Sequence, residues 1–342
     1  MNSLEPVILV DPYPRQIDVI FSPQDKARLE RIGHVLWHGD LPLSNAFIEE
    51  HLPNVFAIIG QSTMSSDRLA RAPYLRVIAN VEGNFLPNVD YEECQRRGIY
   101  VLTTGPVFAQ SVAEMSLGLA LTAIRRISEA DAAIRHGNES LYGDKDNYDS
   151  FLLHGKTIGL LGCGSIGRAL LPLLRPFSHD ILVHDPWIHP NVLRGMEVEP
   201  VKFDELFKRS KVLFILSATT IENRGAVSAQ QFTEMQPGSI VVLTSRAGMV
   251  NFDALLDAAA SGHIRAAIDV FPEEPIPLTY RARTTPNTVL SAHRAGNLPE
   301  IFIEMGQMVV DDLELIQNGL PPQRCQRANI ETVKRLRSKP AM

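Results

Sequence analysis

The sequence has no apolar run of the roughly 18 to 20 residues that a membrane-crossing helix needs, so no membrane partner is expected. It is poor in cysteine. Cys94, Cys163 and Cys325 are scattered and odd in number, which argues against a disulfide framework and against a metal site. A reduced, cytoplasmic setting is expected instead. Basic residues are not in excess: 33 Lys and Arg stand against 39 Asp and Glu, a net charge of −6, so nucleic acid is not an expected partner. The opening MNSLEPVILVDPYP has no basic segment before its apolar run, and no secretory leader is expected. What remains is a globular composition, 45% hydrophobic over 342 residues, enough for two domains.

Strand and helix signals alternate along the chain. Val7 to Val10, Val35 to Trp37, Val55 to Ile59, Leu75 to Ala79 and Ile99 to Leu102 read as short buried strands. Polar helical segments separate them; Ser22-Pro23 opens one and Gly33 closes it. This pattern predicts a parallel sheet with helices on both faces. Ser111 and Glu114 form a capping-box pattern that predicts one long helix ending near His136. The polar stretch 138–150 reads as a surface loop. Beyond it strands are predicted at Thr157 to Leu161, Ile181 to His184, Val212 to Leu216, Ser239 to Thr244, Ile264 to Val270 and Val289 to Ser291. Pro299 to Asn318 keeps helical apolar spacing, and the basic tail after Pro321 reads as a frayed terminus.

The most informative stretch is Lys156 to Asp185. A strand runs into Gly162, Gly164 and Gly167 in G-x-G-x-x-G spacing, and a helix and a second strand follow, ending in Asp185. That order suits a dinucleotide. Gly162 permits a tight turn, Gly164 lets backbone approach a pyrophosphate, and Gly167 brings helix close to strand. The first N–H groups of the helix, from Ser165 and Ile166 onward, would face the phosphates. Asp185 would accept the ribose hydroxyls and repel a 2′-phosphate, so NAD is expected over NADP. Pro172, inside the predicted helix, is expected to kink or break it near Leu171.

Three further residues lie where strands end, the edge at which such sheets hold ligands. Arg246 lies in TSRAG, Glu274 in FPEEP and His293 in SAHRAG. An arginine can hold a carboxylate with two parallel bonds. A histidine can exchange a proton with a hydroxyl or carbonyl oxygen, and a glutamate can orient and charge it. Beside a dinucleotide, the set suggests hydride transfer coupled to proton transfer.

From about Val55 to Asn318 the chain resembles the D-isomer-specific 2-hydroxyacid dehydrogenases. The resemblance rests on VEGNFLPNVDYEECQRRGIYV, the SVAE helix, GCGSIG with Asp185, LTSRAGMVNFDALLDA, AAIDVFPEEP and SAHRAG. It implies a fold of two doubly wound parallel-sheet domains, a Rossmann NAD-binding domain (106–297) inserted in a flavodoxin-like substrate domain (1–105, with the helix and tail of 298–342). It implies that Arg246 binds the substrate carboxylate and that Glu274 pairs with His293 as the acid/base. A small 2-oxo or D-2-hydroxy acid as substrate and a homodimer are implied as well. Ser217, Thr244 and Asp269 are expected near the cofactor, and Glu82, Gly83 and Asn84 near the substrate. The chain departs from the family where Glu82 and Asn84 replace small apolar residues. It departs again where ILSATTIENRG replaces the usual His-x-Pro-Leu-Thr run, and Arg294 adds a cation after His293. Some corepressors share this fold, so a dinucleotide-sensing binding protein is the alternative.

Overall fold

A computed structural model describes residues 6–39, 41–143 and 149–336. Parts of the stretches discussed above, at both termini and at 144–148 of the polar loop, lie outside the described residues. The chain divides into two compact units, Met1–Phe108 with Asn297–Met342, and Ala109–Gly296. Each is a layered α/β unit around a parallel sheet.

In the first unit β1 (Val7–Asp11), β2 (His34–Trp37), β3 (Val55–Gly60), β4 (Val77–Asn80) and β5 (Tyr100–Thr103) run parallel, in the order β5-β4-β3-β1-β2. The inner strands are apolar on both faces because helices cover both: Ile8, Leu9, Ala57, Ile58, Val77 and Ile78 are all buried. Helix Pro23–Ile32 starts as its sequence signals, with Ser22 Oγ accepting the Asp25 N–H (3.1 Å). Helix Pro299–Gln317 packs within this unit, burying Ile301, Met305, Val309 and Leu313 against Ile17, Ile20 and Phe21.

Arg28 ties helix Pro23–Ile32 to helix Pro299–Gln317. Its guanidinium donates to Glu314 (2.9 and 2.7 Å) and to Asp311 (2.6 Å). For Asp311 burial acts upward, but hydrogen bonds from Arg28 and Arg324 outweigh it and hold the carboxyl below its ordinary range. The Arg28 hydrogen bond is the leading cause of the same shift at Glu314. Groups depressed by folding contribute stability above their unfolded values, about 3.9 to 4.3, and that contribution is lost as pH falls through the folded ones. Arg28→Met is therefore expected to move acid unfolding, followed by circular dichroism, to higher pH. An unmoved midpoint would show that the cluster contributes nothing.

In the second unit seven strands are parallel throughout: β6 (Ile158–Leu161), β7 (Ile181–His184), β8 (Glu199–Pro200), β9 (Val212–Ile215), β10 (Ser239–Leu243), β11 (Ile264–Ile268) and β12 (Thr288–Leu290). Their order is β12-β11-β10-β9-β6-β7-β8, doubly wound about β6 and β9. The first unit has one more strand, β13 (Gln326–Arg327), antiparallel to β5.

The structure departs from the sequence reading at several places. The chain enters the helix Ala109–Arg125 through a 3₁₀ turn at Gly105–Phe108, so Ser111 lies inside its first turn and is not a cap. That helix stops at Arg126, which adopts φ 52°, and a separate helix covers Ile127–Arg135. The Arg126 guanidinium donates to Glu129 (2.5 Å) and Asp149 (3.4 Å), contacts available to it at the break. The stretch Gly105–Arg125 is long and apolar enough to cross a membrane, although the sequence reading found no such run. Half of it is buried, with Ala113, Leu119, Ala120 and Ile124 in the core beside Leu160 and Leu170, as in a core helix.

Helix Ser165–Leu174 is continuous through Pro172. The proline lies in its last turn, where the missing N–H removes one bond near an end that would fray anyway. The tail after Pro321 is ordered as far as it is described. Asp312, fully buried on helix Pro299–Gln317, accepts the N–H groups of Gln323 (2.7 Å), Arg324 (3.0 Å) and Cys325 (2.7 Å). These bonds anchor the turn into β13, and helix Ile330–Leu336 follows, with Val333 buried.

Candidate active site

In the second unit β6 ends at Gly162, whose φ is +95° and whose N–H donates to the His184 carbonyl (2.9 Å). A Cβ there would lie 2.8 Å from Ser217 Cα and N, so glycine is required by both conformation and space. A Cβ on Gly167 would meet the Gly162 carbonyl oxygen at 2.9 Å. At Gly164 nothing lies within 4 Å of the added carbon, and this residue caps helix Ser165–Leu174 without a side-chain hydrogen bond. The first bond within that helix runs from the Arg168 N–H to the Gly164 carbonyl (3.0 Å). The N–H groups of Ser165, Ile166 and Gly167 therefore have no carbonyl within the helix. An open glycine before an uncapped helix start fits a pyrophosphate. Asp185 lies at the end of β7. Its Oδ2 accepts the Cys163 N–H (2.8 Å) and its Oδ1 the Trp187 N–H (2.9 Å), which fixes the carboxylate beside the turn. Each oxygen keeps a further lone pair, so the residue also fits a ribose. Burial pushes the Cys163 thiol up to about 11, with the Asp185 charge adding to the effect, so it stays protonated and inert.

The other residues expected near the cofactor have protein partners. Thr244 Oγ1 bonds Ser116 Oγ (2.7 Å), and Ser217 Oγ contacts Met249 Sδ (2.7 Å). The departure after β9 forms a self-capped turn: the Thr220 N–H donates to Asn223 Oδ1 (2.6 Å) and the Asn223 N–H to Thr220 Oγ1 (3.1 Å). Asp269 is fully buried, so in this structure it offers no surface to a ligand. Its Oδ1 accepts the Arg294 N–H (3.0 Å) and its Oδ2 the Ala295 N–H (3.1 Å), while its carbonyl accepts the His293 N–H (2.8 Å). Three bonds from one residue thus hold the loop that carries His293. The sequence reading missed this task; a buried acid directly after a strand, opposite a loop of small residues, was its only signal.

His293 has φ 53°, an uncommon conformation for a residue with a side chain, and the Asp269 bonds hold it there. Its Nδ1 lies 2.5 Å from Glu274 Oε2. Glu274 Oε1 accepts the Phe271 N–H (2.8 Å), which orients the carboxylate toward the ring. The His293 side chain is 46% exposed. Arg246 leaves the end of β10, the strand paired to β11, and its NH1 donates to the Ser245 carbonyl (2.7 Å). The structure thus brings Glu274 and His293 together and places Arg246 on the neighbouring strand's exit. Arg294 is exposed.

In the first unit Glu82, Gly83 and Asn84 follow β4. The Glu82 carbonyl accepts the N–H (3.1 Å) and hydroxyl (3.2 Å) of Thr104 and the hydroxyl of Thr103. The Asn84 carbonyl lies 3.4 Å from the same Thr103 hydroxyl, and the Gly83 carbonyl packs against Gly105. The Glu82 side chain is partly exposed. It is bonded to Arg15 and to Gln61 Nε2 (3.1 Å).

A doubly wound sheet with an open glycine turn and an acid at the next strand suits a dinucleotide, and a buttressed His–Glu pair suits proton transfer. Residues 117–295 match the family model for the NAD binding domain of D-isomer specific 2-hydroxyacid dehydrogenases. The crystal structure of a phosphoglycerate oxidoreductase from Rhizobium etli superposes with a TM-score of 0.84 at 40% identity, covering 95% of this chain and 98% of that one. A glyoxylate reductase from Korarchaeum cryptofilum is 30% identical over 291 residues, 84% of this chain and 87% of the relative. A D-3-phosphoglycerate dehydrogenase from Mycobacterium leprae is 33% identical over 227 residues, 66% of this chain but only 42% of that longer protein. The chain belongs to the D-isomer specific 2-hydroxyacid dehydrogenase family, and its cofactor is NAD.

Proposed function

We propose that this enzyme reduces a small 2-oxo acid to the D-2-hydroxy acid, with His293, Glu274 and Arg246 as its catalytic set. The observation that carries the reading is the 2.5 Å contact between His293 Nδ1 and Glu274 Oε2 on a loop fixed by Asp269. Bound NADH supplies the hydride to C2 of the acid. Arg246, permanently charged, holds the substrate carboxylate and stabilises the negative charge that grows on the carbonyl oxygen. Protonated His293 gives that oxygen its proton, and Glu274 keeps the ring oriented. In the oxidising direction neutral His293 takes the proton back. Similarity to a glyoxylate reductase supports a small acid as substrate. The reading includes a cytoplasmic homodimer. Its test is the loss of NADH absorbance when a 2-oxo acid is added to the purified protein. Binding of NADH without turnover of any 2-oxo acid would instead favour a sensor.

Cofactor choice follows from Asp185. Its carboxylate is fixed by two backbone N–H groups and would face a 2′-phosphate directly. The residues after it, Pro186-Trp187-Ile188, contain no arginine to neutralise that phosphate. We expect kcat/KM with NADH to exceed that with NADPH by about 10²-fold, the equivalent of about 2.7 kcal/mol. Asp185→Ala would narrow the ratio and also weaken NADH, because the turn loses its anchor. Equal values for the two cofactors in the unmutated enzyme would contradict this.

A further inference from the structure

The strands of the second unit's sheet all run parallel, so their carboxyl ends share one edge with the glycine turn and their amino ends share the other. Cations gather at the amino edge. Lys156 stands just before β6, Lys211 immediately before β9, and Arg265 is the second residue of β11. The strand order β11-β10-β9-β6 keeps all three on one stretch of that edge. The segment 149–151 lies across it. Asp149 accepts from Arg265 and from Arg126 (3.4 Å), and the Phe151 ring centroid lies 5.1 Å from Lys211 Nζ. Between these two residues the Ser150 hydroxyl is buried and has no hydrogen-bond partner among the described residues. Lys211 Nζ donates to the Pro237 carbonyl (2.9 Å). Arg265, with a side chain only 9% exposed, donates to the Ala123 carbonyl (3.3 Å) and to Asp149. Both cations carry further N–H groups beyond these bonds. Lys26, Lys208 and Lys334 each pair with a carboxylate of their own. Here, among the described residues, Asp149 is the one paired carboxylate, and Arg126 shares it. Burial pushes the Lys211 ammonium below its ordinary range, and the charges of Lys156 and Arg265 push it further.

We propose that Lys156, Lys211, Arg265 and the Ser150 hydroxyl form a binding site for a phosphate dianion, free or as a phosphomonoester, on the edge of the sheet away from the glycine turn. A phosphate group offers several acceptor oxygens around one centre, which suits donors that arrive from three strands and a loop. The Ser150 hydroxyl gains the acceptor it lacks, which removes the cost of a buried donor without a partner. The dianion also offsets the repulsion among the cations. A monocarboxylate brings less charge and fewer oxygens, and Asp149 already supplies one to Arg265. The site lies wholly in the second unit and takes no part in the proposed reaction.

The test is a phosphate titration of the full chain at constant ionic strength, with NADH saturating so that the glycine turn is already occupied. Calorimetry reads the Kd, and the melting temperature is followed in parallel. Inorganic phosphate and glycerol 3-phosphate separate the free ion from the ester, and acetate is the monoanion control. We expect phosphate, the ester or both to bind and to raise the melting temperature, and acetate to do neither. Lys156→Gln and Lys211→Gln should each raise the Kd about tenfold, the equivalent of about 1.4 kcal/mol, and Ser150→Ala should raise it by less. NADH affinity should hold in all three, since the glycine turn is on the opposite edge. Absence of phosphate and ester binding by the NADH-saturated wild type overturns the proposal. So does an unchanged Kd in both lysine variants once NADH binding shows them folded, because the ion then binds elsewhere. An equal response to acetate reduces the effect to general screening and overturns it as well.

Discussion

Replacing His293 with alanine is expected to lower kcat by 10²- to 10⁴-fold, about 2.7 to 5.4 kcal/mol of barrier, while NADH binds as before. In the proposed mechanism the imidazole protonates the growing alkoxide. Its neighbours contact the loop backbone: Asp269 accepts the N–H groups of residues 293, 294 and 295. The loop conformation should therefore survive the loss of the ring. Glu274→Gln is a milder change. It keeps the shape that meets the Phe271 N–H and the ring, and removes the charge. Its kcat should fall less than that of His293→Ala. Steady-state rates beside calorimetric NADH titration separate the two effects. A His293→Ala enzyme within a few-fold of wild-type kcat would remove the histidine from the chemistry.

The second large effect is expected at the glycine turn, where two substitutions should behave differently. Gly162→Val forces a side chain onto a residue at φ +95° and into the backbone of Ser217, 2.8 Å away. Conformational strain alone is on the order of 1 to 3 kcal/mol, and the clash adds to it. We expect a lower melting temperature and an NADH Kd raised by at least about 10²-fold, or 2.7 kcal/mol. Gly164→Ala puts a methyl group where no heavy atom of the protein lies within 4 Å. Its melting temperature should hold, while NADH affinity falls, because the methyl occupies the space assigned to the pyrophosphate. If Gly164→Ala binds NADH as tightly as wild type, that assignment is wrong.

Much of this was legible in the sequence because the physics is local. The inner strands are buried on both faces, so they appear as unbroken apolar runs, and β7 matches its run residue for residue. Ser22 caps its helix as its spacing announces, and in the structure Ser228 caps another in a full capping box with Gln231. The glycine turn was legible because each glycine answers a separate steric demand. Features decided by distant contacts were not. Ser111 looked like a cap, but the 3₁₀ turn before it carries the helix two residues further back. The order in the tail depends on Asp312, a buried acid reached only after the chain folds back. Asp269 likewise bonds a loop that begins more than twenty residues later along the chain. Arg15 and Gln61 carry no motif; only the strand order brings them to Glu82.

The measurement that bears most directly on the account is the reaction itself. Purified protein, NADH and a panel of small 2-oxo acids are mixed, NADH absorbance is followed, and the product is resolved on a chiral column. The account predicts that at least one acid is consumed in equal molar amount with NADH, that the product is the D-2-hydroxy acid, and that both signals fall together in His293→Ala. Formation of the L-isomer, or no consumption of NADH by any acid while calorimetry shows it bound, would contradict it.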